Sequence, residues 1–164
     1  MAATEMIAEM GLERVTHRAI AARAGVPLGA TTYYFPTLHD LLEAALEHAA
    51  ATSRAQLSTW AAALATNVQV STVLPDLVQE YLADRNRALV DYELYLAAAR
   101  DLRLRPLALA WLEDATAALE PSVGVETARA LVTLIDGAML QTLVTGQDLD
   151  LDALRLQVAR LTGS

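Results

Sequence analysis

Cysteine is absent from this 164-residue chain. No disulfide can staple it and no thiolate can hold a metal or attack a substrate, a composition that fits a reducing cytoplasm. Lysine is absent as well: the 12 basic residues are all arginine, they face 20 acids, and the formal net charge is −8. A protein this acidic has no general attraction for polyanions, so any local basic patch calls for a reason. Long apolar runs are also missing. The charge-free stretch from Ala55 to Pro75 is interrupted by Gln, Ser, Thr and Asn, and Asp136 interrupts the other candidate, so no membrane span is expected. Nothing at Met1 to Met10 reads as a secretory leader. Glycine-rich phosphate loops, G-x-S-x-G and H-E-x-x-H are all lacking. The one metal-like spacing is His39, Glu43 and Glu47 on a single helix face, and such a pattern is far more often a solvated acidic face. The chain therefore reads as a non-enzyme with no cofactor and no metal.

What is present is helix-forming sequence, rich in alanine and leucine, with apolar residues making up 54% of the chain. The most informative stretch runs from Gly11 to Leu41. Thr16 stands where an N-cap belongs, and Ala19, Ile20 and Ala24 follow at helical spacing. Gly25 suits the left-handed residue just past a helix end, Val26 fills the corner, and Pro27 suits the first turn of a second helix. Two short helices joined by so tight a turn make a helix-turn-helix. Within this stretch, Arg14, Arg18 and Arg23 occur without a single acid between residues 14 and 39. Arginines and hydroxyls gathered in this way are suited to DNA phosphates.

The same run resembles the DNA-binding segment of TetR-type transcriptional regulators, G-x-x-x-x-T/S-x-R-x-[IVL]-A-x-x-A-G-V-x-x-G-x-x-Y-x-Y/H-F-x-x-K-x-x-L. The chain matches it at Gly11, Thr16, Arg18, Ile20, Ala21, Ala24, Gly25, Val26, Gly29, Tyr34, Phe35 and Leu41. The resemblance implies DNA contacts from Thr16, His17 and Arg18 on the supporting helix. It implies a recognition helix carrying Leu28, Gly29, Ala30, Thr32, Tyr33 and Tyr34. Two positions depart from the pattern: Thr32 stands in place of the first aromatic, and Leu38 in place of the lysine. Thr32 can still donate its hydroxyl to a phosphate, and His39, when protonated, can replace the lysine. From Pro27 to Phe35 there is no Arg, Lys, Asn or Gln, so base reading is expected to rest on Arg18, hydroxyls, tyrosines, thymine methyls and DNA shape.

The family likeness implies an all-α fold of about nine helices, with a three-helix head over residues 1–47 and an effector-binding and dimerisation body over 48–164. Thr37-Leu38-His39-Asp40 reads as a capping box opening a long linking helix to about Ala65, with Thr52-Ser53 as a possible break. Residues 66–72 read as a connection, and Pro75 as the first turn of the next helix. Helices are expected over 86–101 and 103–120, a turn at Pro121 to Gly124, then helices over 125–145 and 151–161.

In the last two helices, Leu151, Leu154, Val158 and Leu161 recur at spacing 3, 4, 3, and Leu131, Ile135, Ala138 and Thr142 share one face. By periodicity alone this is an ordinary core stripe. Because one reading helix sees only half of a palindrome, and because TetR-like proteins pair through their final helices, it is read here as a homodimer interface. The candidate effector pocket draws on Trp60, Tyr92, Tyr95, Trp111, Met139 and Gln141, with Arg100 and Asp136 as its charged members. The expected function is a ligand-responsive repressor that binds an operator in double-stranded DNA and is released by a small-molecule effector. The competing reading is an all-helical dimeric binding protein with weak operator affinity.

Overall fold

The computed structural model describes residues 1–66 and 69–163 and contains nine α-helices and one short 3-10 turn among them. The helices are α1 (Ala2–Met10), α2 (His17–Ala24), α3 (Leu28–Tyr34), α4 (Leu38–Ala65), α5 (Val70–Ala83), α6 (Arg85–Arg100), α7 (Arg105–Val123), α8 (Val125–Thr145) and α9 (Leu151–Thr162). The 3-10 turn, Leu12–Arg14, joins α1 to α2. No helix of the described residues is long and apolar enough to cross a membrane.

The chain forms two compact units. The first comprises Met1–Thr52 and Asn86–Ala108, the second Ser53–Arg85 and Leu109–Ser164. The core of the first unit gathers Met6 and Ile7 of α1, Val15, Ile20 of α2, Leu41 and Leu46 of α4, and Val90 and Leu94 of α6. In the second unit, α9 lies chiefly along α5, and α8 touches both. Leu74 and Val78 of α5, Leu131 of α8 and Val158 of α9 are wholly buried there.

Local chemistry fixes the helix ends. Thr16 Oγ1 accepts the Ala19 N–H at 3.2 Å as the N-cap of α2. At the other end Gly25 adopts φ 68°, with Gly25 N–H donating to Ala22 O and Val26 N–H to Ala21 O. This paired return of two donors onto the last turn needs a left-handed residue, which glycine supplies without strain. The capping box forms in full: Thr37 N–H donates to Asp40 Oδ2 at 2.9 Å, and Asp40 N–H to Thr37 Oγ1 at 3.1 Å. The Thr37 hydroxyl, followed by its backbone N–H, holds the Asp40 carboxyl below the usual carboxylate range.

Several boundaries differ from the sequence-based expectation. Pro27 is the N-cap of α3 and contributes its carbonyl, accepting from Ala30 N–H at 2.9 Å, so the helix proper starts at Leu28. α4 passes through Thr52-Ser53 without a break because Thr52 Oγ1 donates back to His48 O at 3.0 Å, which satisfies the hydroxyl inside the helix. Of the expected connection, residues 67 and 68 lie outside the described residues, and α5 already begins at Val70. Pro75 consequently sits inside α5 rather than in its first turn, and Pro121 inside the last turn of α7 rather than in a loop. Each proline removes one backbone donor from its helix.

Candidate DNA interface and internal cavity

The first unit presents α2 and α3 as a packed pair, with the side chains of α3 left largely uncovered. Tyr33 is 80% exposed and Tyr34 74%, and their rings meet edge to face at 5.2 Å. Large aromatics held in solvent on a short helix are poised for a partner, since nothing in the protein rewards their exposure. Leu28, Gly29 and Thr32 lie on the same open surface, and Ala30 is half-buried. The Thr32 hydroxyl turns back on its own helix, toward Leu28 O and Gly29 O at 3.3 Å each. It must therefore rotate before it can donate to a phosphate.

The three arginines of the basic stretch are not equivalent. Arg23 is clamped in a two-pronged pair with Glu9 of α1, at 2.9 and 2.6 Å, with Glu5 at 3.7 Å. The Arg23 hydrogen bond holds the Glu9 carboxyl below its usual range, and Glu9 raises Arg23 in return. The pair ties α1 to α2 and removes one positive charge from the interface. Arg14 and Arg18 form no ion pair among the described residues and remain exposed. Behind them, Glu93 of α6 accepts the Leu12 N–H at 3.4 Å, and Arg100 reaches Glu13 at 3.1 Å, so α6 braces the turn that leads into α2.

The second unit encloses an apolar cavity of about 20 Å³, room for one water molecule. Trp60 and Leu57 of α4, Tyr81 of α5, Trp111 of α7 and Ile135 and Met139 of α8 line it, together with Gln56, Ser53 and Asp136. Trp60 and Tyr81 meet edge to face at 6.1 Å. Asp136 is the one charged side chain among the described lining residues. A carboxylate beside three electron-rich rings is a good environment for an organic cation, which gains both a counter-charge and cation–π contact.

Two family models match the chain: "Bacterial regulatory proteins, tetR family" over residues 1–45, and "Tetracyclin repressor-like, C-terminal domain" over residues 65–164. The chain belongs to the TetR family. A TetR-family member from Streptomyces coelicolor A3 has a solved structure that is 39% identical, with 98% of this chain and 94% of that chain covered and a TM-score of 0.86. The multidrug binding protein EbrR, solved in complex with ethidium, is 39% identical, with 98% and 93% covered and a TM-score of 0.83. The HTH-type transcriptional regulator BetI of Burkholderia thailandensis is 27% identical over 159 residues, covering 90% of this chain and 80% of its own. As a TetR-family transcriptional regulator, the chain combines a helix-turn-helix DNA-binding head with a ligand-binding body, and the family is one of regulators rather than enzymes.

The placement of the sequence-derived site residues can be set against this family frame. Thr16, Arg18, Leu28, Gly29, Thr32, Tyr33 and Tyr34 are all exposed in the first unit. Both ring nitrogens of His17, and Nε2 of His39, are screened from solvent, and those of His17 have no partner among the described residues. His39 turns Nε2 toward Glu43 and Asp101, at 3.6 Å each, drawn by two carboxylates rather than left to face a phosphate.

Of the pocket candidates, Trp60, Trp111, Asp136 and Met139 come together at the cavity, with Tyr81. Tyr92, Tyr95 and Arg100 belong to the first unit, where Arg100 borders an open polar groove of about 460 Å³, and Gln141 lines a separate groove beside α9. The 3, 4, 3 stripe is largely internal: Leu131, Ile135, Leu154 and Val158 are buried within the protomer, so they build its core and cannot meet a partner. Ala138, Thr142 and Leu151 are half-buried and Leu161 is exposed. Sequence periodicity did not single out Val144, which is 77% exposed and continues the accessible side of α8. Its signal was the charge-free run along α8 after Arg129, broken only by Asp136.

Proposed function

We propose that this TetR-family regulator is a repressor that acts in the cytoplasm, binds a palindromic operator as a homodimer, and lets go when a flat aromatic cation enters the cavity of its body. The observation that carries the effector class is Asp136 set beside Trp60, Tyr81 and Trp111 in otherwise apolar surroundings. EbrR, whose solved complexes hold ethidium and malachite green, supports the same chemistry. In this reading Asp136 supplies the counter-charge and the rings sandwich the plane of the ligand. A ligand of that size needs a cavity of roughly 300 Å³ or more, so binding must push the lining side chains apart. Trp60 lies on α4, the helix whose first turn is capped by Thr37 directly after α3. A push on Trp60 is therefore a push on the element that continues from the reading helix, and differential affinity for the two arrangements releases the DNA.

The homodimer is proposed through the accessible side of α8 and α9. Leu134, Ala138, Gln141 and Val144 on α8, with Ala153, Gln157 and Leu161 on α9, offer small, apolar and amide side chains, bordered by Asp148 and Asp150. A pair of chains supplies two α3 helices, the number a two-fold palindrome requires.

Selection of binding sites from random duplex DNA, followed by ethidium titration of the complex, tests the proposal. The expected result is an enriched palindrome bound by a dimer in sedimentation, lost on Arg18→Ala, and dissociated by ethidium in the wild type but not in Asp136→Asn. A selection that enriches no palindrome would overturn the repressor reading, and ethidium binding unchanged by Asp136→Asn would overturn the effector reading.

A further inference from the structure

The cavity makes a demand that cation recognition does not meet. Trp60 is 6% exposed, and its indole N–H finds no acceptor among the described residues. A buried donor left unpaired costs more free energy than an ordinary hydrogen bond returns. Trp60 and Tyr81 meet edge to face at 6.1 Å, a contact that brings no nitrogen or oxygen acceptor to the indole N–H. Trp60 lines the cavity, whose 20 Å³ admits a single water. A ligand that displaces such a water without replacing its hydrogen bond loses affinity, and one that replaces it does not.

We infer that the effector carries a hydrogen-bond acceptor for the Trp60 indole N–H, so that Trp60 selects among aromatic cations those with an acceptor atom on the ring. The inference rests on the cavity being the effector site. It goes further, in that charge and flatness alone are insufficient: Asp136 reads the positive charge and Trp60 reads the acceptor. The indole N–H donates and the ligand's ring nitrogen or ether oxygen accepts, with no proton transferred.

A matched pair of dyes isolates the contact. Acriflavine, an N-methylated diaminoacridinium, and the corresponding diamino-N-methylphenazinium share charge, plane and amino groups. They differ in one ring position, a C–H in the first and an acceptor nitrogen in the second. Equilibrium dialysis of both against the full chain is expected to show the phenazinium bound about fivefold tighter, the worth of one net hydrogen bond. Trp60→Phe keeps a ring and removes the donor, and should bring the two dyes to within about twofold by weakening the phenazinium. Asp136→Asn should weaken both dyes alike and preserve their ratio. On the wild-type protein, the Trp60 indole proton resonance should move downfield with the phenazinium and not with acriflavine, a readout independent of whether the variant folds.

Equal binding of the two dyes to wild type, or a preference that survives in Trp60→Phe, would overturn the inference while leaving the cavity as effector site. Failure of both dyes to bind, or binding indifferent to Asp136→Asn, would overturn the effector site and the inference with it.

Discussion

Aromatic side chains have opposite fates in the two units. In the head, Tyr33 and Tyr34 stand 80% and 74% exposed on α3, while in the body Trp60 and Tyr81 are 6% and 4% exposed around a cavity. The hydrophobic effect alone would bury all four. Exposure on a short helix, in a unit that also carries the exposed Arg14 and Arg18, suits the polyanion proposed above. Burial around one carboxylate suits a small cation, as proposed above. The same residue class thus occurs at both proposed sites, and what separates them is charge: Arg14 and Arg18 in the unit that holds one, Asp136 within the other.

The contrast should be sharpest in stability. Leu131→Ala, in the fully buried core of the body, is expected to cost about 2–5 kcal/mol, read as a lowered denaturation midpoint. Tyr33→Ala should change stability by no more than about 0.5 kcal/mol, since the ring packs on little but Tyr34. A large loss for Tyr33→Ala would mean that the head uses its tyrosines structurally and would dissolve the distinction.

In the opposite assay the order reverses. Arg18→Ala should weaken operator binding by about 1–3 kcal/mol in a gel-shift titration, and Leu131→Ala should affect it only through the fraction folded. Next in size, Thr16→Ala removes the cap of α2 and should destabilise the head by about 1 kcal/mol, visible in hydrogen exchange of α2 and not of α9.

The smallest effect concerns pH. Glu9 and Asp40 both have carboxyls held below their usual range, by Arg23 and by Thr37, so the folded state binds their protons less readily than the unfolded chain. Their contributions are complete above the ordinary carboxyl range of about 4 and fade as pH falls through the lower folded values. Acidification below about pH 4 should therefore loosen α1 from α2 and fray the start of α4. Carboxyl titration by NMR checks this, and midpoints at ordinary values for both would remove the claim.

The parts legible in the sequence were those whose cause is local. The Thr16 cap, the Gly25 turn and the Thr37–Asp40 box each depend on residues within a few positions of one another, and all three form. Contacts over distance were not legible. Nothing in the spacing tells that Glu93 meets Leu12, 81 residues away, or that Glu9 takes up Arg23. Periodicity finds an apolar stripe but not which surface covers it, so Leu131, Ile135, Leu154 and Val158 read as interface when they are core. Scarcity served better: with only two tryptophans in the chain, both at one cavity, the rarity of the residue pointed to the place.

The Arg23–Glu9 clamp has a consequence in ionic terms. An arginine already neutralised within the protein displaces no counterion from DNA. If Arg14 and Arg18 each meet a phosphate, as proposed, the basic stretch releases about two ions per head instead of three, which flattens the dependence of affinity on salt by about 0.9 in logarithmic slope. Such a regulator gives up some non-specific hold on bulk DNA, and in exchange its occupancy of an operator changes less when the ionic strength of the cell rises or falls.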